Sequence, residues 1–344
     1  MLIVKSALIN FGLLIGSILI FFLGIEFALR VTGLQTTRPN PPRIFRQSEY
    51  PDISYELIPN LKNEKAYRAT VSTNSLGFRG PEPDLEKPTI ALFGDSITFG
   101  YGVGDEETLA AYMRDLLPDY NILNTAAPGY NLEQETGVLR QKIAPLDPDL
   151  IVLVFYLNDL EGEVGILAPD GTLRSQGWTP KERDCNPITT GILGLLPGKC
   201  WLDEHSAFYK AFKKVVDLRS SKQRKAVQQE ESEEKPKEDT VTEEQLARYT
   251  QQLNGFIAHI DPGTPSVFVI WPDHYPHEPS RSSIRQIAEI RGFRVIDLYD
   301  IFSNKVPTLP WDTVHPNPDS LKAAAQEITE ILINKKLVPG ELAP

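Results

Sequence analysis

A chain of 344 residues, 41% hydrophobic and 24% charged, can bury the core of one large domain and carry accessory segments. Its formal net charge of -11 leaves no basic face to neutralise phosphates, so nucleic acid is not an expected partner. Five histidines and two cysteines, with no His-x-His or Cys-x-x-Cys spacing, give no metal signature, and no metal or organic cofactor is expected.

The chain opens with an apolar stretch from Ala7 to Ile25, broken only by Asn10, Gly12, Gly16, Ser17 and Gly24. As a helix it would extend about 30 Å, enough to cross a hydrocarbon core. A cleaved signal peptide has a shorter apolar run followed by a small-x-small site. Here the run passes directly into Glu26-Phe-Ala-Leu-Arg30, and Glu26 and Arg30 are spaced to pair on one helix face. Residues 1–35 are therefore expected to form an uncleaved, single-pass membrane anchor. Lys5 precedes it and Arg30, Arg38, Arg43 and Arg46 follow it, but large domains translocate largely regardless of charge. The two cysteines set the expected side. A disulfide between Cys185 and Cys200 would add about 3 kcal/mol and would persist only in an oxidising space, so the large domain that follows the helix is expected outside the cytoplasm.

Residues 36–82 are expected as linker and accessory strands: a proline-rich spacer over Arg38 to Pro51, then short strand-like runs over Tyr55 to Gly80. The latter include Asn74-Ser-Leu-Gly-Phe-Arg-Gly80. From Pro88 onwards apolar strands alternate with helices, which predicts an α/β fold with a central parallel sheet. The strands are expected at 89–93, 121–124, 150–156, 266–271 and 294–298. Helices are expected at 106–117, 132–144, 242–260, 282–291 and 320–334. This domain, 83–340, carries an insertion at about 161–241. Its first part is rich in glycine, proline and tryptophan, and Arg219 to Glu238 reads as a charged surface loop.

Chemistry is concentrated at strand ends. Phe93-Gly-Asp-Ser-Ile-Thr-Phe-Gly100 places Ser96 just past a buried strand, at the carboxyl edge where open α/β sheets hold their sites. Asp95 or Ser96 could instead serve as a helix cap. Gly100, Gly102 and Gly104 match neither a dinucleotide fingerprint nor a P-loop. Asp312-Thr-Val-His315, before the last helix, could supply a base and the carboxylate that orients it. Asn158, after the third strand, and the Gly129 N–H, after the second, could serve as oxyanion donors.

Gly94-Asp-Ser96, Gly129, Asn158-Asp159 and Asp312-Thr-Val-His315 resemble the four ordered blocks of the SGNH (GDSL) hydrolase family, in order and over roughly Pro88 to Lys335. Ile97 stands where the usual Gly-Asp-Ser-Leu has leucine. Asn74 to Gly80 is similar to a segment that precedes the first block in membrane-anchored bacterial members. The resemblance implies a flavodoxin-like three-layer α/β/α sandwich and a Ser96–His315–Asp312 triad. It further implies an oxyanion hole of the Ser96 and Gly129 N–H groups with the Asn158 side chain. Asp95, Asp159 and His274 are candidate substrate contacts. Tyr101, Tyr130, Trp178 and Trp201 could form a sugar-stacking wall, although aromatic loop residues more often pack on the core. His277 is open to the same reading as His274, and for both histidines a solvated loop position is the commoner case.

The expected function is that of a membrane-tethered serine esterase that hydrolyses acyl esters, acetyl esters foremost, with an envelope polysaccharide as the expected carrier. An O-acyltransferase that hands the acyl group to a polysaccharide hydroxyl is one alternative. A catalytically silent binding or scaffold protein on the same fold is another.

Overall fold

The computed structural model describes residues 2–32, 35, 42–84, 86–162, 165–169, 171–175, 188, 192–195, 197–216, 219, 241–273 and 277–338. The chain forms two compact units, one of Met1–Asn40 with Thr179–Gln223 and one of Pro41–Trp178 with Arg224–Pro344.

In the first unit a single helix runs over Leu2–Val31. Its stretch Ile9–Val31 is long and apolar enough to cross a membrane. The anticipated pair forms, with Arg30 Nε donating to Glu26 Oε1 at 2.6 Å. Glu26 also accepts the N–H groups of Ala207 and Phe208 at 2.9 and 2.8 Å, so part of the insertion folds onto this helix. Cys200 is disulfide-bonded, whereas Cys185 lies outside the described residues.

The second unit is built on five strands: β1 (Thr89–Phe93), β2 (Asn121–Asn124), β3 (Leu150–Phe155), β4 (Ser266–Ile270) and β5 (Arg294–Asp297). All pair in parallel, in the order β5-β4-β3-β1-β2. Successive side chains point to opposite faces of a strand, so an unbroken apolar run needs cover on both sides. That cover is present. Ala91, Phe93, Ile151, Leu153 and Phe268 pack with α2 (Leu132–Val138), α3 (Glu243–Ile257) and α4 (Glu278–Ile290). Ile90, Leu92, Val152, Val154, Val267 and Val269 pack with α1 (Leu109–Leu116) and α5 (Pro318–Asn334). The flavodoxin-like three-layer sandwich expected from the sequence is the observed one.

Local differences have local causes. The first predicted helix starts three residues late because Thr108 caps it, its hydroxyl accepting the Ala111 N–H at 3.1 Å. The helix expected to run to Ala144 changes at Leu139–Ile143 to a wider π turn. α4 begins at Glu278, four residues early, with Pro279 in its first turn, where a missing N–H costs nothing. Residues 220–240, most of the anticipated charged loop, lie outside the described residues.

The stretch before Pro88 is more than a spacer. Phe45–Gln47 pairs antiparallel with Tyr55–Leu57, and Glu64–Ala66 with Ala69–Val71. Ile44, Phe45, Ile53, Tyr55, Leu57, Val71 and Phe78 are buried in the same core as the sheet. Asn74 then shapes a turn by accepting the Leu76 and Phe78 N–H groups at 3.1 and 2.9 Å. This turn delivers Arg79, whose guanidinium donates to the carbonyls of Phe99, Gly100, Thr70 and Val103 and to Asp105 Oδ1, all within 2.7–3.0 Å. Its side chain is 1% exposed. Truncating one member of a buried charged pair typically costs about 3–5 kcal/mol. Arg79→Ala should therefore lower the unfolding free energy by about that amount in urea titrations; a loss below about 1 kcal/mol would contradict the structural role.

Candidate active site

A strand must stop sharply to expose one side chain at a sheet edge. Gly94 provides the stop: its φ is +148°, and a Cβ there would lie 2.2 Å from Thr98 Oγ1. Ser96 then opens a one-turn helix, Ser96–Phe99. Asp95 caps it, Oδ1 accepting the Ile97 N–H at 2.9 Å. Of residues 91–100, Ser96 alone is not buried.

The partner of Ser96 comes from 219 residues away: its Oγ lies 2.9 Å from His315 Nε2. His315 Nδ1 lies 2.8 Å from Asp312 Oδ2. The other carboxylate oxygen builds the turn itself by accepting the Val314 and His315 N–H groups at 2.7 and 2.9 Å. Burial works to raise the Asp312 carboxyl, but the hydrogen bonds from the His315 ring and from the His315 and Val314 N–H groups, with the electrostatic attraction of that ring, outweigh it and hold it at about 2. Asp312 is thus ionised at neutral pH and suited to keep a proton on Nδ1, leaving the Nε2 lone pair toward Ser96.

The sheet order reverses between β1 and β3, and such switch points open a crevice at the carboxyl edge. Ser96 follows β1 and Asn158 follows β3, so the crevice joins them. Asn158 Nδ2 donates to Asp95 Oδ2 at 2.9 Å. One amide hydrogen thereby fixes the side chain and leaves the second for another acceptor. Gly129 has φ +81°, and a Cβ there would meet the Tyr55 hydroxyl at 3.0 Å. Tyr55 braces this loop by donating to the Pro128 carbonyl at 2.5 Å, while the Tyr130 hydroxyl donates back to the Tyr55 carbonyl at 2.6 Å. The Ser96 and Gly129 N–H groups donate to no protein acceptor among the described residues.

The remaining anticipated residues fall out differently. Asp95 is buried and serves inside the protein as cap and as anchor for Asn158. Asp159 is 6% exposed and accepts the Tyr156 N–H at 3.0 Å. It borders a cavity of about 280 Å³ with Gly129, Asn131 and Asn158. Burial, and then neighbouring carboxylates, push Asp159 and the adjacent buried Glu135 well above the usual carboxylate range. His274 lies outside the described residues. His277 is buried rather than solvated, with Nε2 2.9 Å from Asp273 Oδ2. Of the aromatic residues, Tyr130 is buried, Trp201 lies exposed in the first unit and Trp178 is outside the described residues. Tyr101 is stacked on the His315 ring with centroids 4.1 Å apart, and the buried Tyr130 lines the cavity beside Gly129 and Asn158. No cluster of three or more potential metal-binding side chains occurs among the described residues.

Sequence reasoning missed Tyr55, Tyr67 and Arg79, all in the stretch before β1. Only the Asn74–Gly80 run hinted at them, because no spacing in the chain tells which distant turn a tyrosine or arginine will brace.

The GDSL-like lipase/acylhydrolase family model matches residues 92–321. No curated protein matches the sequence. Among solved structures, the chain is similar to the lipase/acylhydrolase from Enterococcus faecalis, at 15% identity over 74% of this chain and 99% of that one, TM-score 0.42. It is similar to the psychrotrophic esterase EstA from Pseudoalteromonas sp., at 15% identity, 73% and 99% coverage and TM-score 0.36. An acetylxylan esterase from Geobacillus stearothermophilus is 14% identical, with 71% and 93% coverage and TM-score 0.39. With the family match spanning well over half of its length, and the Ser96 block and the His315 block at the two ends of that span, the chain belongs to the GDSL-like lipase/acylhydrolase, or SGNH, family and is an ester-hydrolysing serine hydrolase.

Proposed function

We propose that this protein is a membrane-tethered esterase that works through an acyl-enzyme at Ser96. The observation that carries this reading is the continuous path Asp312–His315–Ser96, 2.8 and 2.9 Å per step, beside N–H groups that have no acceptor among the described residues. Ser96 Oγ attacks the ester carbonyl as His315 Nε2 takes its proton, and Asp312 stabilises the imidazolium. The tetrahedral oxyanion is held by the Ser96 and Gly129 N–H groups and the free amide hydrogen of Asn158. The intermediate collapses as the C–O bond to the alcohol breaks, and His315 returns the proton to that oxygen. Water, deprotonated by His315, then attacks the acyl-enzyme and releases the acid and free Ser96.

The acyl group, acetyl foremost, would enter the cavity of about 280 Å³ that Gly129 and Asn158 line, which has room for more than acetyl. The apolar helix Ile9–Val31 supports tethering, and the disulfide-bonded Cys200 supports an oxidising, extracytoplasmic location. An envelope carbohydrate is the acyl carrier that such a location favours.

Ser96→Ala should lower kcat on a short-chain aryl ester by about 10³-fold or more with an unchanged melting temperature; retained turnover would remove the proposal. Asn158→Ala should lower kcat by roughly 10²- to 10³-fold with little change in KM, as for loss of one oxyanion donor. An effect on KM alone would assign Asn158 to ground-state binding. Acetylated-glycan digests separate hydrolysis, which yields free acetate, from transfer, which yields a newly acylated sugar.

The Asp312 carboxyl sits at about 2 in the folded chain, below the ordinary 3.8. A group with a depressed folded pKa stabilises the protein above its unfolded value and loses that contribution as pH falls through the folded one. The stability gap between wild type and Asp312→Asn at pH 6 should therefore shrink between about pH 4 and 2 in denaturant titrations. A gap independent of pH across that window would contradict the ionised pairing.

A further inference from the structure

The hairpin of Glu64–Ala66 and Ala69–Val71 turns through Tyr67 and Arg68, at φ 52° and 67°. A two-residue hairpin turn with both central residues at positive φ is the habitat of Asn-Gly and Gly-Gly, because a Cβ crowds the backbone there. Two large side chains in these positions persist only when their surroundings hold them. For Tyr67 the surroundings are aromatic. Its ring packs on Tyr101, centroids 4.2 Å apart at 33°, and meets Phe99 edge-on at 6.3 Å. Tyr101 in turn stacks on the His315 imidazole at 4.1 Å and 22°. Arg68 lies over the Trp311 ring at 4.7 Å, next to Asp312 in the chain. One column of rings thus runs from a hairpin before the sheet to the imidazole beside Ser96.

The bonds to Asp312 and Ser96 act in the plane of the imidazole and leave its faces unrestrained. A ring stacked on one face restrains tilt out of that plane, and its electron-rich surface favours a cation. We propose that Tyr67 is a positioning residue for His315: by holding Tyr101 against the imidazole, it fixes the plane of that ring and favours the imidazolium formed when Ser96 loses its proton. This rests on the reading of His315 as the base. The titratable and charged groups around the imidazole are Asp312 on Nδ1, Ser96 on Nε2 with Asp95 behind it, the Tyr101 and Tyr67 phenols and the exposed Arg68. Removing the Tyr67 ring changes none of these charges.

The test uses the full-length protein in detergent with a short aryl ester, and compares Tyr67→Ala, Tyr67→Phe, Tyr101→Leu and Ser96→Ala with wild type. Tyr67→Ala should lower kcat about tenfold, with KM within about twofold. It should also move the acidic limb of kcat/KM against pH to lower values by about half a pH unit, the size of a lost cation–π contact. Tyr67→Phe, which keeps the ring, should restore both. A residue that merely packs the core would lower the active fraction without moving the limb. A Tyr67→Ala limb that coincides with wild type overturns the proposal, as does a Tyr67→Phe profile equal to that of Tyr67→Ala. Should Tyr67→Ala lack a cooperative melt, Tyr101→Leu decides by the same shift of the limb. The Ser96→Ala arm keeps the two levels apart. Turnover by that variant removes the esterase mechanism, whereas an inert Ser96→Ala beside an unmoved limb removes only the role of Tyr67.

Discussion

An imidazole can relay a proton only if each of its two nitrogens meets a different partner at hydrogen-bonding distance. In this protein those partners come from opposite ends of the sheet-bearing unit. Asp312 is local, three residues away, and shapes the same turn that carries His315. Ser96 is brought in by the parallel sheet, from a strand near the middle of the order β5-β4-β3-β1-β2. The two-faced apolar core therefore has a direct chemical consequence. It sets the height of β1 relative to the loop before α5 and, with it, the 2.9 Å gap between hydroxyl and imidazole.

Around that relay, the stretch before β1 behaves as part of the same device. Tyr55 braces the loop that carries the Gly129 N–H. Arg79 gathers the carbonyls at the end of the one-turn helix opened by Ser96. Tyr67 backs the ring stacked on His315. These contacts hold two loops, Tyr55 the one at Pro128 and Arg79 with Tyr67 the one over residues 99–103, and each is made by a buried or half-buried side chain. Loops at a sheet edge have no ladder of their own to hold them, so stiffness must be supplied from elsewhere. Here it comes from two short hairpins and a turn that share the apolar core.

The sequence made the fold legible where physics acts locally. Apolar runs located the five parallel strands to within a residue, unbroken or nearly so in the three inner strands, which are covered on both faces, and shorter and flanked by polar residues in the edge strands β2 and β5. The Ser96, Asn158 and His315 blocks were legible because each sits at a strand end or before a helix, in an order that matches a known family. Where tertiary contacts decide, the chain was opaque. Ile44 and Phe45 sit inside a proline-rich run that reads as a spacer, yet both are buried. Asp159 reads as a candidate substrate contact beside Ser96, yet it is buried against a main-chain N–H, and of the two readings open for Asp95, cap and substrate contact, the buried cap is the observed one. His277 looks like a loop histidine and is 6% exposed beside Asp273. A polar side chain carries no local mark of the partner that will bury it.

The most direct test of the relay is covalent labelling with a fluorophosphonate, in which a deprotonated serine oxygen attacks phosphorus and fluoride departs. Peptide mapping by mass spectrometry should find a single adduct, on Ser96. The labelling rate should fall by about 10³-fold or more in His315→Ala, while the folded structure is retained. An adduct on another serine, or Ser96 labelling at an undiminished rate without the imidazole, would contradict the proposed active centre.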